Sequence, residues 1–235
     1  MVQYDPLQYL PTAEELPDSD NTPVDNELQN LVPTLLRTIL SFIWQARRDW
    51  FFGINMGVYY HPRQPAIVPD AFLSLGVERF KDGKLRKSYV LWQENNTVPI
   101  WVLEVVSHTY GEEYEDKMTD YAQMGVLYYA IYNPDYWKRD KHEPFELYRL
   151  VDGVYVRQPG EPVWMPEIGL GIGRGQGTYE GCTREWLNWY DQEGRKYPSQ
   201  EEARQQAEQR AEQERQRAEQ LAAQLRALGI EPDKG

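Results

Sequence analysis

The chain has 235 residues, of which 41% are hydrophobic and 13% aromatic, enough for one sizeable domain with an appendage and too apolar for a disordered chain. Its one cysteine, Cys182, excludes an internal disulfide and a cysteine-based zinc site, and fits a reducing compartment. The formal net charge of −12 argues against a general nucleic-acid binder, yet seven acids precede the first base, Arg37, and acids outnumber bases eight to six from Ser199 onward, which leaves −3 for the central body.

Residues 1–26 are polar, acidic and proline-bearing, so an extended N-terminal arm is expected. This start has neither a basic n-region nor an apolar h-region, and no apolar run reaches the length of a membrane span, which points to a cytoplasmic protein with no membrane partner. A helix follows to about Arg47, with Leu28, Leu31, Leu35, Leu36, Ile39 and Ile43 near helical spacing, Asp25 or Asn26 as its cap, and Pro33 as a kink or as the start of its regular part. Strands are expected over Trp50 to Tyr60, Ala66 to Leu75 and Pro99 to Val106, with a short one at Tyr89 to Trp92 inside the loop from Arg79 to Val98. Glu112 to Met124 reads as a helix ending at Gly125, and Val126 to Tyr132 as a strand ending at Asn133-Pro134. A strand, a crossover helix and another strand imply a right-handed parallel connection in a mixed sheet.

From Phe145 to about Tyr190 the chain turns β-rich again, predicting added antiparallel strands. Gly169 to Gly177 is glycine-dense, but it lacks the GxGxxG spacing and no amphipathic helix follows, so it is not a phosphate-cradling loop. After Ser199 the composition becomes Ala, Glu, Gln and Arg, a long helix in which Ala207, Ala211, Ala218, Leu221, Leu225 and Leu228 approximate a coiled-coil seam that Arg204 and Glu214 interrupt. A solvated single helix and a dimerising one are both consistent with that pattern, and a homodimer is the expected assembly.

Two carboxylates carry the chemical argument. Pro69-Asp70 closes the run Ile67-Val68, and Glu104 is the one charge inside Ile100-Trp101-Val102-Leu103-Glu104-Val105-Val106, a stretch that reads as a strand buried on both faces. An ion in such a place is costly unless paired, and a hard cation held by one or two carboxylates, waters and a substrate phosphate offsets that cost. Asp70 and Glu104 are therefore candidate Mg²⁺ ligands, with Mn²⁺ as the substitute and the Val105 carbonyl as a third ligand. Glu113, Lys117 and Tyr121 stand at i, i+4 and i+8, on one face of the expected helix. If that face covers the carboxylates, the Lys117 ammonium can orient or help deprotonate a water beside the ion and stabilise charge on phosphate, a set sufficient for phosphodiester hydrolysis. Each piece also has an ordinary role: a Pro-Asp turn, a buried ion pair, a surface salt bridge. Two basic clusters, Lys81/Lys84/Arg86/Lys87 and Lys138/Arg139/Lys141, are either solvated loops or phosphate tracks.

Pro69-Asp70, Leu103-Glu104-Val105-Val106-Ser107, Lys117-x-x-x-Tyr121-x-x-x-Gly125-Val126 and Tyr128-Tyr129-Ala130-Ile131-Tyr132-Asn133-Pro134 together resemble the Uma2 family, also called DUF820, of the PD-(D/E)XK nuclease superfamily. The resemblance covers roughly residues 25 to 195. It implies an α/β, restriction-endonuclease-like αβββαβ core with a mixed sheet over residues 27–195, extra antiparallel strands, a helical tail over 199–230, Mg²⁺ at Asp70 and Glu104, and DNA as the substrate. The chain departs from the superfamily pattern in several places. Val106 stands where the superfamily lysine would follow the acid, so its role moves to Lys117; Glu113 replaces a frequent Asp; and Ser107-His108 replaces Ser-Pro, which sets an uncommitted His108 beside the site. Glu27, at the start of the first helix, matches a further acid of many superfamily members, although the helix dipole explains an acid there equally well. The leading reading is a Mg²⁺-dependent DNA endonuclease. The alternative is a catalytically inactive nuclease-fold module that binds or assembles through its C-terminal helix, a reading favoured by the acidic arm and the displaced lysine.

Overall fold

In a computed structural model, residues 10–17, 26–81, 83–108 and 113–228 are described. Four α-helices occur among them, α1 (Leu28–Ile43), α2 (Asp116–Met124), α3 (Trp137–Asp140) and α4 (Gln200–Ala227), with a 3₁₀ turn at Leu91–Gln93. The strands are β1 (Trp50–Ile54), β2 (Val58–Tyr59), β3 (Ala71–Leu75), β4 (Tyr89–Val90), β5 (Trp101–Val105), β6 (Tyr128–Tyr132), β7 (Phe145–Val151), β8 (Val154–Arg157), β9 (Val163–Met165), β10 (Leu170–Tyr179) and β11 (Cys182–Tyr190). Six of them form a mixed sheet in the order β1-β3-β5-β6-β7-β8, in which β5 and β6 run parallel and every other pair is antiparallel. With the small parallel pair β2-β4 set aside, the order α1, β1, β3, β5, α2, β6 is the αβββαβ core. β7 and β8 extend the central sheet, whereas β11-β10-β9 form an antiparallel sheet of their own.

β5 and β6 are buried along their whole length, as a strand with helices on both sides of its sheet requires. Alternation sorts β5 into two faces. Trp101 packs against Phe52 and Trp189 on one side, while Val102 and Val106 join Phe72, Tyr121, Met124, Tyr129 and Ile131 on the other. Gly53 in β1 has a packing reason, since a Cβ there would stand 2.2 Å from the Phe72 ring. The Trp189 indole donates to the Leu36 carbonyl at 2.9 Å and so ties α1 to β11.

Several boundaries differ from the sequence reading, each for a local reason. β3 begins at Ala71 rather than Ala66, because Pro69 has no N–H for a ladder; Ile67 makes an isolated bridge to Val58 instead. α1 ends at Ile43, with Pro33 buried inside it. Its first turn is closed by Asn26, whose side chain accepts from the Gln29 N–H at 3.2 Å while the Gln29 side chain accepts from the Asn26 N–H at 3.3 Å, a reciprocal cap; Asp25 lies outside the described residues. α2 starts at Asp116, not Glu112, a residue outside the described set, because the Glu113 carbonyl accepts the Tyr129 hydroxyl at 2.7 Å instead of serving as a helical acceptor.

The chain divides into two compact units, residues 1–175 with 185–197, and residues 176–184 with 198–235. The second contains α4, opened by a capping box in which the Ser199 hydroxyl accepts from the Glu202 N–H and the Glu202 carboxylate accepts from the Ser199 N–H. None of the residues of α4 is buried. Among the described residues no helix is long and apolar enough to cross a membrane.

Candidate active site

The site forms where β3 begins and β5 ends. Ala71 faces Leu103 across the antiparallel pair, so the register carried one step further sets Asp70 opposite Glu104 on the same face of the sheet. The β3 ladder has ended there, and the Asp70 Oδ2 takes the place of a carbonyl by accepting the Val105 N–H at 2.6 Å. Glu104 points toward α2. Its Oε2 accepts from the Lys117 Nζ at 2.8 Å and its Oε1 from the Tyr121 hydroxyl at 2.5 Å. Lys117 and Tyr121 are one helical turn apart, which is why both reach one carboxylate.

Glu113 does not share their helix, as the i, i+4, i+8 spacing had implied, but stands in the turn before it. It is nonetheless buried in electrostatic reach of Lys117 and Glu104, and its Oε2 is buried with no hydrogen-bond partner. Glu27 is exposed and makes no capping bond. From α1 it is Gln29 that reaches the site, donating from Nε2 to the Val105 carbonyl at 3.3 Å. Sequence reasoning missed Gln29; its one signal was a glutamine three residues after a capping Asn. His108 turns its ring edge-on to Tyr136, with centroids 5.9 Å apart, and makes no hydrogen bond to the carboxylates among the described residues.

The electrostatics are those of crowded acids. Burial, then the charge of Glu104, push the Asp70 carboxyl well above the usual carboxylate range, against the pull of the Val105 N–H and Lys117. Burial likewise raises Glu113. For Lys117 burial acts downward, but Glu104, Asp70 and Glu113 outweigh it and hold the ammonium above its ordinary value. Lys117 therefore remains a cation at neutral pH, suited to orienting water and stabilising developing charge, not to removing a proton. Burial and Glu104 raise the Tyr121 phenol far above its usual value, so it is a permanent donor. Asp70, Glu104 and Glu113 against Lys117 leave two negative charges in excess when all are ionised.

That excess, and the orphaned oxygen of Glu113, fit a divalent cation. Among the described residues no three His, Cys, Asp or Glu side chains converge into a full protein ligand set. Mg²⁺ does not require one, since it is held by one or two carboxylates and completes its shell with water and phosphate. Asp70, Glu104 and the Val105 carbonyl are the groups that would hold it.

The domain is thus mixed α/β, with two acids where β3 begins and β5 ends and a lysine reaching one of them from α2. The family model Uma2, described as "Putative restriction endonuclease", matches residues 19–176, about two-thirds of the chain, and the chain belongs to the Uma2 family. Among solved structures, the crystal structure of a "putative nuclease belonging to DUF820" from Anabaena variabilis ATCC 29413 aligns with a TM-score of 0.47 and 13% identity, over 66% of this chain and 89% of that one. A comparison with curated proteins finds no match.

Proposed function

We propose that this protein is a Mg²⁺-dependent endonuclease of the PD-(D/E)XK type that hydrolyses phosphodiester bonds in DNA, with Mn²⁺ as an alternative ion. The observation that carries the reading is the Asp70–Glu104–Lys117 cluster, two buried carboxylates where β3 begins and β5 ends, one bonded to the ammonium and the other within its field, with a third acid beside them. The bound ion would supply Lewis acidity and lower the pKa of a coordinated water. Asp70 and Glu104 hold that ion, and the Val105 N–H keeps the Asp70 carboxylate in place. Lys117, fixed by Glu104 and 29% exposed, is the most solvent-accessible of these three and is suited to orient the attacking water and to stabilise charge gathering on the phosphate. Tyr121 fixes the other oxygen of Glu104, and Glu113 adds negative potential that keeps Lys117 protonated.

The test is nicking and linearisation of supercoiled plasmid by the full chain. Cleavage is expected with Mg²⁺ and not with EDTA, and Asp70→Ala or Glu104→Ala should reduce it by at least about a thousandfold, since each removes a ligand of the ion. Equal cleavage by wild type and Asp70→Ala would end the assignment.

A further inference from the structure

The two basic clusters have different fates in the fold. In the first, Arg86 is buried, with its guanidinium forked onto Glu94 at 2.8 and 2.9 Å and bonded to the carbonyls of Glu78 and Arg79. Lys81 donates to the Gln93 carbonyl at 2.5 Å. The N-terminal segment lies over the same loop: the Trp92 indole donates to the Pro11 carbonyl at 2.8 Å, the Ala13 N–H reaches Gln93, and Glu14 shares a hollow with Lys81, Lys84 and Lys87. Arg86 and Lys81 are thus engaged in the fold; Lys84 and Lys87 are exposed and make no ion pair among the described residues, but they line a hollow with an acid of the chain itself, Glu14.

The second cluster rides on α3 and its left-handed cap Lys141, just past the end of β6. This segment is pinned to chain that follows Glu104 and adjoins Glu113. Arg139 donates to the His108 carbonyl, four residues beyond Glu104, and the His142 ring stacks on Tyr114, next to Glu113, with centroids 3.6 Å apart. Asn133 completes the brace, donating to Asp140 at 2.9 Å and to the Tyr114 hydroxyl at 3.3 Å. Arg139 is spent on Asp140, but Lys138 and Lys141 are exposed and make no ion pair among the described residues. The Lys138 ammonium lies 5.1 Å from the centre of the Trp137 ring, a cation–π contact.

A polyanion approaching a pocket with two negative charges in excess is repelled unless cations stand beside it. We propose that Lys138 and Lys141, on the α3 turn, contact the backbone phosphates of duplex DNA flanking the scissile bond, and that the Lys81–Lys87 cluster does not. This deepens the nuclease reading and rests on it for the place of the scissile phosphate. Bound phosphates release condensed counterions, so the contribution of each lysine is legible in the salt dependence of binding.

The test is fluorescence anisotropy with a labelled 20-base-pair duplex and the full chain carrying Asp70→Asn, so that no strand is cut during the titration. Adding K138A and K141A should weaken binding at least about tenfold at ~100 mM salt and reduce the slope of log K against log salt by about two. Adding K84A and K87A instead should change affinity less than about twofold, and K138R with K141R should restore it. Parent-like binding by the K138A/K141A variant, a larger loss from K84A/K87A, or no binding by the parent overturns the proposal. Cleavage is scored separately on chains with Asp70 intact. Lysine-dependent binding with no Mg²⁺-dependent cleavage by the wild type would sink the nuclease reading and leave the surface standing, whereas wild-type cleavage alongside lysine-independent binding would do the reverse.

Discussion

Two buried ion pairs in this protein look alike in outline and differ in what surrounds them. In Arg86–Glu94 both side chains are nearly inaccessible, 2% and 5% exposed, and the guanidinium satisfies both carboxylate oxygens, two backbone carbonyls and the face of Phe51 at 4.5 Å. Its charges cancel. In Lys117–Glu104 the acid is as deeply buried, but Asp70 and Glu113 crowd the same ammonium and one Glu113 oxygen has no partner. The first arrangement holds a loop in place. The second leaves acids in excess of the one ammonium, an imbalance that the proposed cation would offset and that marks a candidate functional site.

The sharpest way to break the comparison is to remove one partner from each pair. Arg86→Ala leaves Glu94 buried without a counter-charge and should cost about 3–5 kcal/mol in urea unfolding, whereas Lys117→Met should cost less, its ammonium being part-exposed, yet abolish cleavage. If Lys117→Met proved the more destabilising, the contrast between a structural and a catalytic pair would fail.

A smaller effect of opposite sign is expected at Asp70. Asp70→Asn should stabilise the metal-free protein by about 1 kcal/mol, because it removes a like charge beside Glu104 while keeping an acceptor for the Val105 N–H, and Mg²⁺ is expected to raise the Tm of the wild type but not of this variant. The pH dependence has the same origin. Asp70 and Glu113 have folded-state pKa values raised above their unfolded ones, so their contribution is fully present below about pH 4 and is lost as pH rises through the raised values. Thermal melts in EDTA should therefore show a declining limb above about pH 4 that Asp70→Asn flattens. A limb identical in the two proteins would show that Asp70 carries no such burden.

The smallest change is expected at the exposed helical pair Arg204–Glu208, 3.9 Å apart on α4. Arg204→Ala should shift stability by no more than about 0.5 kcal/mol in chemical denaturation.

Much of this was legible in the residues themselves. The lone charge of Glu104 in an apolar run announces compensating groups, because burial of an ion demands them, and Lys117 and Tyr121 supply them. The i, i+4 spacing of Lys117 and Tyr121 carries both side chains to one acceptor, and Ser199 with Glu202 announces the start of the long helix. Glu113 was read correctly as near the site and wrongly as part of the helix, since what interrupts the helix is the Tyr129 hydroxyl on its carbonyl, a contact sixteen residues away in sequence.

Sequence alone determined the alternation, the caps and the helical spacing that brings Lys117 and Tyr121 to one acceptor, because these depend on neighbours within a turn or a pleat. Tertiary structure decided the rest: that Asp70 stands opposite Glu104, that Gln29 and not Glu27 reaches Val105, and that Arg86 and Lys81 are engaged in the fold while Lys138 and Lys141 stand exposed on the α3 turn. Those outcomes depend on strand register and on which polar groups meet across distant segments, and no local periodicity encodes them.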